Sequence, residues 1–81
     1  MLDETTLFDV KTISNALVRT TLDEVYQALK EKGYNPISQI VGYLKSGDPG
    51  YITSYKGARE KIQSLHTTLI FEAIVKEYLE G

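Results

Sequence analysis

The sequence predicts an all-α fold, and three observations carry that reading. Apolar residues recur at helical spacing in several stretches, and period-two alternation is too scarce to build a sheet. Both prolines directly follow a residue able to cap a helix, in Asn35-Pro36 and Asp48-Pro49. Four to five short helices in a compact bundle are expected. Residues 12–81 form the expected single helical domain, and residues 1–11 an expected flexible N-terminal tail.

That tail carries Asp3, Glu4 and Asp9 against Lys11 alone, with Thr5 and Thr6 side by side. It shows no sustained period and reads as a polar terminus or as an exposed segment open to modification. Ile13, Ala16 and Leu17 then allow a short helical turn. At Thr21, a threonine with Glu24 three residues on has capping-box spacing. Leu22, Val25, Tyr26 and Leu29 follow as one stripe, with acids early and Lys30 and Lys32 late, as the helix dipole favours. A helix over 22–32 is expected.

Gly33 stands where that helix needs a left-handed residue to stop. Asn35 caps the next helix and Pro36 occupies its first position. Ile37, Ile40, Val41 and Leu44 mark its apolar face, and Gly47 ends it. Gly42, inside this helix, costs on the order of 1 kcal/mol relative to alanine. It is either simply tolerated or a point of close approach by another backbone. Asp48-Pro49 repeats the cap-and-proline device. An aromatic connector with Tyr51, Ile52 and Tyr55 leads to a helix over 58–65, whose inner face is Ala58, Ile62 and Leu65. Thr67 or Thr68 is expected to cap the last helix. There Ile70, Phe71, Ile74, Val75, Tyr78 and Leu79 make a stripe too broad for one small core, and part of it reads as subunit interface.

Composition narrows the function. A chain of 81 residues buries only roughly 60–65% of its unfolded surface, which favours completion of the core as a homodimer. The absence of cysteine removes disulfides, thiol chemistry and thiolate zinc sites. The acidic N-terminus is unlike a secretory signal, no apolar run nears the roughly 20 residues of a membrane span, and cytoplasm is the expected location. His66 is a lone histidine without a motif, no metal-ligand spacing occurs, and the glycines lack the ending of a phosphate loop. No enzyme activity, cofactor or metal is expected.

Two binding readings remain. Residues 22–46 have the outline of a helix-turn-helix, with Ser38, Gln39, Tyr43 and Lys45 pointing outward. With one basic residue among those four and a net charge of −2, phosphate neutralisation would be thin and no nucleic acid is expected as partner. Lys56, Arg59 and Lys61, beside Tyr51 and Tyr55, form a cationic cluster suited to a phosphate or an acidic tail.

Lys32-Gly33-Tyr34-Asn35-Pro36-Ile37-Ser38-Gln39-Ile40-Val41-Gly42-Tyr43-Leu44, then Ser46-Gly47-Asp48-Pro49-Gly50-Tyr51-Ile52, closely resembles the IreB family of small regulatory phosphoproteins from Gram-positive bacteria. Gly33, Tyr34, Asn35, Pro36, Gln39, Gly42, Tyr43, Gly47, Asp48 and Pro49 are the motif positions. Asp3-Glu4-Thr5, Tyr55, Ala58-Arg59 and the closing Ile74-Val75, Tyr78-Leu79 and Gly81 extend the likeness over nearly the whole chain. The resemblance implies a non-enzymatic, cytoplasmic, helical homodimer. It implies a substrate of a membrane-anchored, envelope-sensing Ser/Thr kinase with a cognate phosphatase, acting through an unknown downstream protein. Such proteins are negative regulators of resistance to cell-wall antibiotics. Thr5 matches a family phosphorylation site, and Thr6 is an added candidate. A second family threonine falls at Leu2, a common proline is Thr53, and residues 11–19 match poorly.

Overall fold

The computed structural model describes the backbone of residues 4–81 and the side chains from Asn15 onward. Four helices follow in order: α1 (Glu4–Glu31), α2 (Pro36–Ser46), α3 (Ala58–Gln63) and α4 (Thr67–Glu80). Single 3-10 turns at Pro49–Tyr51 and Tyr55–Gly57 link α2 to α3. No strand occurs among the described residues, and the fold is all-α as the sequence predicts.

The first helix is longer than expected. It runs for 28 residues, about 42 Å at 1.5 Å per residue, and sets the long axis of a molecule measuring 48 × 25 × 20 Å. It takes in residues 4–11, which the sequence reading assigned to a tail, and runs straight through Thr21. Thr21 is therefore not an N-cap: it is buried in mid-helix, at 6% exposure. The cause is an unbroken stripe. Val18, Thr21, Val25, Ala28 and Leu29 all face the core, and no glycine or proline lies between Glu4 and Lys32 to halt the helix. The local capping-box pattern loses to burial of that longer face.

The other helices each pack against α1, which serves as the spine. Val18, Val25, Ala28 and Leu29 of α1 meet Tyr43 of α2, Ala58 and Ile62 of α3, Leu65, Ile70 of α4, and Ile52 from the connector. Ile52, expected in an irregular segment, is fully buried and anchors that segment to the core. Ala58, Ile62 and Leu65 point inward as expected, although α3 ends at Gln63 and leaves Leu65 just beyond it.

The α2 face divides. Ile40 and Leu44 pack against the core beside buried Tyr43, whereas Ile37 and Val41 are exposed. Tyr43 is thus not one of the outward residues the DNA-binding reading needed. At α4 the residue before the first turn is His66, which makes no side-chain cap bond, so neither Thr67 nor Thr68 caps the helix. Thr67 lies one position and Thr68 two positions too late, already inside the first turn.

Candidate functional site

The motif block from Gly33 to Ile52 is held by a chain of specific hydrogen bonds. Gly33 adopts φ +86, its N–H donates to Lys30 O at 3.0 Å, and Tyr34 N–H donates to Leu29 O at 3.0 Å. That pair of bonds is the Schellman arrangement, and it satisfies carbonyls the helix end would otherwise leave open. Asn35 Oδ1 accepts from Ser38 N–H at 3.1 Å, with Pro36 in the first turn. At the far end Gly47, φ +75, donates its N–H to Tyr43 O at 2.7 Å. Ser46 Oγ donates to Gly42 O and accepts from Asp48 N–H, while Asp48 Oδ1 accepts from Gly50 N–H at 2.8 Å. Every polar device the sequence offered here is used.

Gly42 has a reason the sequence left open. A Cβ built at Gly42 would lie 2.5 Å from two carbons of the Tyr51 ring, so the ring occupies the space an ordinary side chain would take. The close neighbour is an aromatic side chain and not a backbone. Gln39 completes the clamp, its Nε2 donating to Tyr51 O at 2.8 Å. The Tyr51 backbone is thereby tied to α2 although the residue is 40% exposed.

The basic residues take separate places. Lys56 Nζ lies 3.3 Å from Glu31 Oε1, and Lys61 Nζ lies 3.1 Å from Glu24 Oε1. Their partners are seven residues apart on α1, about 10 Å along its axis, so the two ammonium groups form a row and not a pocket. Arg59 turns the other way, donating Nε–H to Ile52 O at 2.8 Å and tying α3 to the connector. Exposed pairs like Lys61–Glu24 are worth at most about 1 kcal/mol and are open to competition by another anion.

Around Tyr55 the packing is denser. Lys32 and Lys56 stand over its ring, 5.1 and 5.4 Å from the centroid. A hydrogen bond from Tyr55, then the bond and charge of Lys56, hold the Glu31 carboxyl below the usual carboxylate range. Glu31 in turn, first by hydrogen bond and then by charge, raises Lys56 above its ordinary value. Lys56 is also the single non-glycine residue with positive φ (+54) among the described residues, and it sits next to Gly57 at +72. Its left-handed turn swings the ammonium back onto the end of α1.

Thr5 and Thr6 fall within the first turns of α1, and their side chains lie outside those described. Among the described residues no helix is long and apolar enough to cross a membrane, and no group of three or more His, Cys, Asp or Glu could hold a metal.

The two-ended capping of the 33–52 block and the Gly42–Tyr51 fit give its glycines, Asn35, Gln39 and Asp48 local structural roles. The family model described as the IreB regulatory phosphoprotein matches residues 3–80. The chain belongs to the IreB family. A UPF0297 protein of Ruminiclostridium cellulolyticum is 48% identical over 80 residues, covering 99% of this chain and 91% of that relative. The IreB description is that of a regulatory phosphoprotein, not of an enzyme family. Sequence reasoning alone missed the Tyr51 clamp and the Arg59 tie, and Gly42 was the one signal that pointed toward the first.

Proposed function

We propose that this IreB-family chain is a non-enzymatic phosphorylation-controlled regulator, modified on Thr5 or Thr6 by a membrane-anchored Ser/Thr kinase and reset by a phosphatase. Family membership across residues 3–80 is the observation that carries this reading. Its physiological output is negative control of resistance to cell-wall antibiotics, exerted in the cytoplasm through a downstream protein. Phosphate adds about −1.5 to −2 charge to a segment that already holds Asp3, Glu4 and Asp9, a large local change.

Self-association belongs to the same proposal. Phe71, Ile74, Val75, Tyr78 and Leu79 leave most of the apolar surface of α4 uncovered, and Leu17 of α1 is exposed as well. A second copy covers such a surface with like surface about a two-fold axis. The row Lys56 and Lys61, with Arg59, is the proposed receptor for the phosphate. Thr5 precedes Glu24 by 19 residues of helix, roughly 29 Å, so the phosphate arrives from a second copy or after unwinding of the first turns.

The test is the intact mass of the protein from its own host, with and without phosphatase, followed by fragmentation. A phosphate on Thr5 or Thr6 that rises under envelope stress is expected. A uniformly unmodified protein under both conditions would defeat the reading. Charge reversal at Arg59 should weaken any phosphate-dependent change in shape or binding, and an unchanged response would remove this cluster as the receptor.

A further inference from the structure

Of the three cations in the proposed receptor row, Lys56 alone shares an aromatic ring with a second ammonium group. Lys32 Nζ and Lys56 Nζ stand 5.1 and 5.4 Å from the centroid of the same Tyr55 ring. Lys61 is paired instead with Glu24, and the Arg59 Nε–H is taken up by Ile52 O. We propose that Lys32, Tyr55 and Lys56 form the seat for a phosphothreonine of a second copy, entered by displacing Glu31. This deepens the reading above and rests on it for the source of the phosphate.

Three observations carry the assignment. The first is that the seat already holds an anion. Glu31 Oε1 lies 3.3 Å from Lys56 Nζ, and the Tyr55 hydroxyl donates to the same carboxylate. An ammonium and a phenol therefore converge on an oxyanion before any ligand arrives. The pair is open to exchange, since the Lys56 and Glu31 side chains are 61% and 44% exposed.

The second observation is charge. Lys32 forms no ion pair among the described residues, so two ammonium groups at this ring face the single carboxylate of Glu31. A monoanion leaves one positive charge over. A phosphate carries about −1.5 to −2 and three acceptor oxygens, enough to serve both ammonium groups and the phenol.

The third is the backbone at Lys56. Its φ of +54 lies in the left-handed region, where glycine or asparagine is the usual occupant. A lysine in that conformation carries its ammonium back to the end of α1, and backbone outliers of this kind gather at ligand clamps.

Reach decides which molecule supplies the phosphate. Thr5 precedes Glu31 by 26 residues of one helix, roughly 39 Å. An intact α1 cannot bring its own first turn to its own last turn, so the phosphate comes from another copy.

The experiment titrates isotope-labelled full-length protein at low salt with a synthetic peptide of residues 1–12 phosphorylated on Thr5. The unphosphorylated peptide and inorganic phosphate are titrated in parallel. The phosphopeptide is expected to shift the amide signals of Glu31, Lys32, Tyr55 and Lys56 well before either control does. Lys32→Gln should weaken it about threefold, the size of one exposed ion pair, and Glu31→Gln should tighten it by a similar factor by removing the competitor. Lys45→Gln, at another lysine without an ion pair, should change nothing, and both lysine variants should melt with the parent.

No response, or shifts centred on Lys61, would overturn the seat. Weaker binding in Glu31→Gln would overturn it as well, since a purely structural carboxylate predicts that sign. An equal response to the unphosphorylated peptide or to inorganic phosphate would overturn the phosphothreonine as its occupant. The peptide brings its own phosphate, so the seat is tested whatever the host does. A chain left unmodified in the host defeats the reading above, whereas a silent titration defeats only the seat.

Discussion

α2 and α4 are both apolar helices resting on α1, yet they are secured by opposite means. α2 is closed at both ends, by Asn35 and Pro36 at one and by Gly47 at the other, and it is clamped sideways through Gln39 and Tyr51. α4 has no side-chain cap at His66 and places a single residue, Ile70, fully in the core. Local chemistry specifies the first helix. The second is held by Ile70 and leaves most of its apolar stripe exposed.

Mutations can break or sharpen that contrast. The largest effect is expected at Ile70→Ala, a loss of about 2–5 kcal/mol in denaturant unfolding. Tyr78→Ala, at an 87% exposed position of the same helix, should stay within roughly 0.5 kcal/mol when measured at protein concentrations too low for association. Similar losses at both sites would show that α4 is packed on both faces within one chain. Next comes Gly42→Ala, expected to destabilise by about 1–3 kcal/mol although alanine favours a helix, since the Tyr51 ring must leave. Adding Tyr51→Ala to it should recover part of that loss, and strict additivity would refute the clamp.

Smaller effects of opposite sign are expected at the two helix starts. Asn35→Ala should cost about 1 kcal/mol, while His66→Ser should gain a few tenths to about 1 kcal/mol by supplying the missing cap oxygen at an extended backbone position. Smallest is the contribution of Glu31. Its carboxyl titrates below its unfolded value, so the stabilisation it gives is complete above the ordinary carboxylate range and disappears as pH falls through the lowered value. Melting temperatures of Glu31→Gln and parent should differ at neutral pH and converge in acid. A gap that persists at low pH would mean the charge is not the source.

What the sequence could disclose follows the same division. Caps and turns are local, so Gly33, Asn35, Pro36, Gly47 and Asp48 were legible at once and are found in the predicted roles. The inner residues of α3 and the stripe of α4 were legible too, being simple periodicities. Thr21 was not, since a cap pattern reads the same whether the chain before it is helix or coil, and only Val18 packing on the core decides. Ile37 and Val41 looked like core because periodicity reports an apolar face without saying what meets it. The Tyr51–Gly42 fit and the partners of Lys56, Arg59 and Lys61 depend on contacts across 7 to 37 residues of chain, beyond any local window.

The spine arrangement also dictates how the molecule comes apart. α2, α3 and α4 each lean chiefly on α1 and little on one another, so α4 can lift away while the remainder stays closed. Amide protons of α4 would then exchange through that partial opening, whereas those of Val25 and Leu29 would wait for the whole chain to unfold. A protease would meet the same order, trimming from the C-terminal helix inward. The hold of α4 on α1 thus governs lifetime as well as shape.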